Sequence, residues 1–194
     1  MARVSLAPPP TLLHRLTQWY TKRTYGKALD PVKALAHNLR VLWGTMRFEQ
    51  SVSKWNRLDP GLRALAEMAT AAAIGCSWCM DFGHWISRER GIAPEKVHDV
   101  PVWRGSDAYT PLERDVMAYA EAMTATPPTV NDGLAERLRD RLGEPALGVE
   151  LTAMVAVENL RSRVNSALEL TSQGFKDSCD APAAAADRVR TSTK

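Results

Sequence analysis

The run Ala71-Ala72-Ala73-Ile74-Gly75-Cys76-Ser77-Trp78-Cys79-Met80-Asp81-Phe82-Gly83-His84 sets the frame for the rest of the chain. An alanine-rich helix ends at a glycine, and a second helix opens with two thiols three positions apart. On a helix that spacing brings Cys76 and Cys79 about one turn apart on one side. A reversible disulfide is then within reach. The positive end of the helix dipole also stabilises a thiolate and lowers its pKa. Three uses fit the pair. Two buried cysteines can serve as small hydrophobes. A structural zinc site needs about four ligands, but His14, His37, His84, His98 and Cys179 show no paired ligand spacing. Redox work needs only the pair and a route for protons, and it is the leading expectation.

Upstream, Asp59-Pro60 is a helix start signal. Leu62, Leu65, Ala66, Ala69 and Ala73 follow as a small-residue face that lets a neighbouring helix approach closely, so this helix is expected to be central. Before it, Leu12, Leu13, Leu16, Trp19 and Tyr20 recur at helical spacing up to Gly26. Asp30-Pro31 opens a stripe of Val32, Leu35, Leu39, Leu42, Trp43 and Met46, which Phe48 and Val52 extend. Downstream, the Cys-bearing helix stops at Gly91, and Pro94 begins a short one. Pro101 to Tyr109 reads as a loop pinned by Trp103. Thr110-Pro111-Leu112-Glu113 is a capping box. Asn131 or Asp132 opens a helix ending near Gly143, and Pro145 starts the longest one. No segment alternates like a strand. The expected fold is all-α, with about seven or eight helices in one domain over residues 11–175. Residues 1–10 are expected to be a flexible N-terminus and 176–194 a disordered tail.

The chain has 194 residues, of which 45% are hydrophobic and 24% charged, which suits a globular domain. A formal net charge of +3, with scattered Lys and Arg, gives no nucleic-acid footprint. No apolar run is long enough for a membrane span, and the proline-broken N-terminus lacks a secretory h-region. A cytoplasmic location is expected. There a close cysteine pair more often means catalysis or metal than a structural bridge. Cys179 is the one cysteine left over.

Two residues near the thiols are candidate proton carriers, His84 and Glu67. His84 follows Cys79 by five residues, about 140° round an ideal helix. Glu67 lies on the small-residue helix among Leu65, Ala66, Met68 and Ala69, where burial would raise its pKa and fit it to shuttle protons. The alternatives are a surface His84 and an Arg-paired Glu67. Asp81 points away from Cys79, and Trp78 either shields the site or packs in the core.

The Leu65–Gly91 run resembles the carboxymuconolactone decarboxylase and alkylhydroperoxidase-D-like (AhpD-like) superfamily. Tyr109 to Glu113, Ala120 to Thr124, Glu150 to Thr152 and Glu158 to Asn165 resemble it too, and the similarity covers roughly residues 31–175. The resemblance implies an AhpD-like helical bundle that assembles as a homo-oligomer, trimer or hexamer. It implies thiol-dependent peroxidase activity on a hydroperoxide substrate, with no cofactor. Cys79 would be the peroxidatic thiolate and Cys76 the resolving one, re-reduced by a lipoylated or thioredoxin-like dithiol donor. The family's relay His stands four residues after the second cysteine, where this chain has Gly83, with His84 one later. Its relay Glu stands a dozen before the first, where this chain has Ala64, with Glu67 one turn nearer. Asn159, Arg161, Arg163 and Asn165 are expected to tie helices or subunits together rather than to bind substrate. The rival functions are a lactone-decarboxylating lyase on the same fold and a non-catalytic redox-sensing oligomer.

Overall fold

The computed structural model describes residues 2–178. Cys179 and the remainder of the expected tail lie outside the described residues. Among the described residues there are nine α-helices, two 3-10 turns and no strand. They run α1 (Leu12–Tyr25), α2 (Asp30–Leu35), α3 (Leu39–Val52), α4 (Pro60–Ile74), α5 (Ser77–Glu89), α6 (Pro94–His98), α7 (Pro111–Thr124), α8 (Asp132–Leu142) and α9 (Pro145–Ala167). The protein is an all-α bundle.

The central helix is α4, packed against α5, α7 and α9. Ala64, Leu65, Ala66, Met68, Ala69 and Ala71 are all buried. Small side chains on several faces let three neighbours pack close, as the alanine pattern predicts. In the same core stand Val116, Met117 and Ala120 of α7 and Leu151 and Val155 of α9, and Leu134 and Leu138 of α8 close it from beyond α7 and α9. Asp59 caps α4 by accepting from the Gly61 and Leu62 amides. Gly75 closes the helix at φ 78°, a left-handed conformation that a β-carbon disfavours. The Thr110/Glu113 capping box forms at the start of α7.

Three features differ from the sequence pattern. The stripe from Val32 to Val52 is not one helix. It breaks after Leu35, and the Asn38 side chain caps a new helix by accepting from the Arg40 and Val41 amides. The segment read as a loop after Pro101 begins as a 3-10 turn, Val100–Gly105. Trp103 does pin it, donating its indole N–H to Glu121 at 2.7 Å. Finally, α1 is turned the unusual way round. His14, Thr17 and Thr21 are buried, while Leu12, Leu16, Trp19 and Tyr20 are exposed.

Past Phe175 the chain continues into a 3-10 turn, Lys176–Ser178. Asp81 holds it there. This buried carboxylate accepts from the backbone N–H groups of Gln173, Phe175 and Lys176 at 2.8, 3.0 and 2.8 Å. Burial works to raise its pKa, but those donors outweigh burial and hold the carboxyl below its usual range. Asp81 therefore points away from the thiols, as expected.

Candidate functional site

Gly75 turns the chain sharply from α4 into α5, and the turn leaves Cys76 at the N-cap of α5. Its sulfur takes the role that a Ser or Asp oxygen usually fills, accepting the Cys79 backbone N–H at 3.3 Å. Both cysteines are free thiols, with Cys76 1% exposed and Cys79 7% exposed. The predicted pairing at the mouth of a helix is therefore formed, with both side chains nearly closed off from solvent.

Trp78 stacks on Phe82 with centroids 5.0 Å apart and donates its indole N–H to Gln173. With Tyr25, Trp85 and Phe175 it forms an aromatic layer beside the thiols. It packs in the core, as one of the two expectations had it.

The side chains around the two sulfurs come from α9. Asn165 donates its side-chain N–H to Cys79 Sγ at 3.3 Å. Ser162 and Ser166 face Cys76, and Ser162 also faces Cys79. Glu158 is 5% exposed and faces the Cys79 thiol. Glu158 accepts from Ser162 Oγ at 2.7 Å and from Arg161 Nη1 at 3.3 Å. Glu158, Ser162, Asn165 and Ser166 stand at helical intervals of four, three and one, so they share one face of α9. In sequence the signal is a polar file at helical spacing beside Leu151, Met154 and Val155, and Glu158 enters there only within the pattern that carries the family resemblance.

Arg161 ties the site to the bundle. Its guanidinium donates to Glu49 of α3 at 2.8 and 2.5 Å and to Glu67 of α4 at 3.1 Å, besides Glu158. Asn159 and Arg163 bond to Thr124 of α7. All four residues expected to join helices do so, and Asn165 does it at the thiol site, through Cys79 of α5.

Glu67 is gripped by arginines. Arg63, Arg90 and Arg161 lie at 3.5, 3.7 and 3.1 Å. It shares the Arg161 guanidinium with Glu158, the Arg-paired arrangement expected as one alternative. His84 sits half-buried on α5.

The electrostatics are uneven. Cys76 is lowered to about 6, chiefly by a hydrogen bond from the Cys79 thiol, with the Cys79 N–H adding to it against the effect of burial. Cys79 is pushed up, because its proton is engaged by Cys76, it is buried, and Glu158 is close. The pair therefore sheds one proton readily and holds the other. Burial raises Glu158 to about 7, against the opposing Arg161 charge and with Glu67 adding to the rise. Among the described residues no group of three or more His, Cys, Asp or Glu is arranged to hold a metal ion. No helix among them is long and apolar enough to cross a membrane.

An all-α bundle with a Cys-x-x-Cys pair at a helix mouth defines an AhpD-like fold, and the chain belongs to the carboxymuconolactone decarboxylase family. The family's model matches residues 40–122. The chain is 34% identical over 165 residues to the uncharacterized protein YnjA of Escherichia coli K12, covering 84% of this chain and 90% of YnjA. In fold it is similar to the alkylhydroperoxidase AhpD core of an uncharacterized peroxidase-related protein from Ralstonia eutropha JMP134. That likeness has a TM-score of 0.77 at 20% identity, over 90% of this chain and 94% of the other. It is equally similar to a cysteine-to-alanine variant of the debrominase Bmp8 in complex with 2,3,4-tribromopyrrole. There the TM-score is 0.77 at 16% identity, over 93% of this chain and 98% of that one.

Proposed function

We propose that the chain is a dithiol oxidoreductase whose cysteine pair reduces a hydroperoxide. The observation that carries this reading is the Cys76 sulfur at the α5 N-cap, with Cys79 one turn on and hydrogen-bonded by Asn165. Cys79 is the more exposed residue of the pair, at 7% against 1%. It attacks the terminal peroxide oxygen, so an S–O bond forms and the O–O bond breaks. The alkoxide leaves as alcohol, carrying the proton that Cys79 gave up. Cys76, held as a thiolate, attacks the Cys79 sulfenic acid. The disulfide forms, and hydroxide leaves to become water with a proton from solvent. A lipoylated or thioredoxin-like dithiol restores both thiols through a mixed disulfide and is itself oxidised.

Peroxide-dependent formation of the Cys76–Cys79 disulfide, followed by mass spectrometry with and without dihydrolipoamide, tests the cycle. Cys79→Ser should abolish peroxide consumption. Cys76→Ser should leave a trappable sulfenic acid on Cys79. If peroxide loss stops at one equivalent despite excess dithiol, the protein is a redox sensor rather than a peroxidase.

The likeness to a debrominase favours a second reading, in which the same site acts on an organic electrophile or a lactone. Activity on a lactone that survives the double Cys76→Ser, Cys79→Ser substitution would establish the lyase form of it and remove the dithiol from the chemistry.

We further propose a homo-oligomer. The outward Leu12, Leu16, Trp19 and Tyr20 of α1 support it, together with the exposed Val41 and Trp43 of α3. Light scattering on the wild type and on Trp19→Glu tests this: the substitution should lower the measured mass.

A further inference from the structure

We propose that Glu158 is the acid–base residue of the dithiol, taking the Cys79 proton as that sulfur attacks and giving it to the oxygen that leaves. This deepens the dithiol reading above and rests on it. The relay positions implied by the family resemblance hold Gly83 and Ala64 here, and Glu67 is occupied by arginines.

The ground is geometric. Glu158 is nearly sealed from solvent and faces the Cys79 thiol. It stands on the face of α9 that also presents Asn165 to the same sulfur and Ser162 to both sulfurs. Arg161 holds Glu49 and Glu67 at 3.1 Å or less and Glu158 at 3.3 Å, so Glu158 has the longest of the three contacts, and burial outweighs the pull of that cation on its proton. Facing a thiol, it has a chemical use. The charged and titratable groups that act on it are Cys79 of α5, Glu67 of α4 and Arg161 of α9, and Arg63 and Arg90, through Glu67, and Glu49, through Arg161, belong to the same ion-pair cluster. With a pKa of about 7, Glu158 populates both protonation states near neutrality, which suits a group that accepts and returns a proton in one turnover.

The balance closes on one proton. As the Cys79 sulfur bonds to the terminal peroxide oxygen, its thiol proton turns from the Cys76 sulfur, which it bridges at rest, to the Glu158 carboxylate. The O–O bond breaks, and the alkoxide takes that proton to depart as alcohol. Glu158 is again a carboxylate when the Cys76 thiolate closes the disulfide.

The test uses the full chain as wild type, Glu158→Gln and Glu158→Asp. One readout is the pH profile of Cys79 alkylation by iodoacetamide, with peptide fragmentation separating the two thiols. The other is single-turnover disulfide formation by hydrogen peroxide. The wild-type Cys79 profile should inflect near pH 7. Glu158→Gln should lose that inflection and slow disulfide formation at pH 7 by about 100-fold. Glu158→Asp should keep an inflection and regain part of the rate. A Glu158→Gln protein with the wild-type profile and a rate within about twofold overturns the proposal. If Glu158→Gln does not fold, an unchanged profile in Glu158→Asp overturns it and a displaced one supports it. If the wild type ignores peroxide while Glu158→Gln still flattens the alkylation profile, the peroxide reading falls and the Glu158 assignment stands.

Discussion

The Asn165 amide donates to the Cys79 sulfur at 3.3 Å, joining the longest helix to the thiol pair across 86 positions of sequence. A neutral donor of this kind favours the thiolate over the thiol without adding charge. Asn165→Ala should slow Cys79 alkylation at neutral pH by about tenfold, since a hydrogen bond to a charged group contributes about 1.5–3 kcal/mol. Timed alkylation with mass spectrometry reads this directly, and an unchanged rate would make the contact structural only.

Arg161→Gln should do two things at once. It leaves Glu49, Glu67 and Glu158 without their shared cation. Removing one partner of a buried charge group costs about 3–5 kcal/mol, which denaturant titration will register. It also takes away the charge that opposes the rise at Glu158. The inflection in Cys79 reactivity should then move to higher pH. Lower stability with an unmoved inflection would confine Arg161 to scaffolding.

Stability should depend on pH in two windows of opposite slope. Folding raises Glu158 from 4.5 to about 7, so the native state holds a proton there that the unfolded chain has released. Its contribution is fully present below 4.5 and is lost as pH rises through 7. Folding lowers Cys76 from 9.0 to about 6, so its contribution is present above 9 and lost as pH falls through 6. Thermal melts across pH 4–9 should show Glu158→Gln gaining on the wild type between pH 5 and 7. Cys76→Ser should lose ground above pH 7. Parallel Tm curves would contradict both assignments.

Asp81→Ala should unhook the segment after α9 without touching the thiols. The carboxylate receives three backbone N–H groups from residues 173–176. Stranding buried donors costs about 1–3 kcal/mol each. Faster proteolysis near Gln173, with Cys79 alkylation unchanged, is the expected result.

The elements most legible in sequence were those with local punctuation. The alanines of α4, the Gly75 stop and the Thr110/Glu113 capping box each carry their cause within a few residues. The break at Asn38 also had a local cause, a capping side chain inside an apolar stripe, but the stripe's periodicity masked it. The outward face of α1 was not legible. Periodicity says which residues share a face, not whether that face meets the core or lies open. The site divided in the same way. Cys76 and Cys79 lie close in the chain, and their pairing follows from helix geometry. Glu158 and Asn165 reach them only because α9 packs against α5, a contact no local pattern encodes. A polar file at helical intervals among Leu151, Met154 and Val155 was the hint.

A single guanidinium serves as both fastener and tuning weight. Because Arg161 grips α3 through Glu49 and α4 through Glu67 while touching Glu158, the same side chain sits in the path of both helix anchoring and the charge beside the thiols. At this clamp, and not at the Asp81 anchor, hardening the bundle and retuning its reactivity become one design problem.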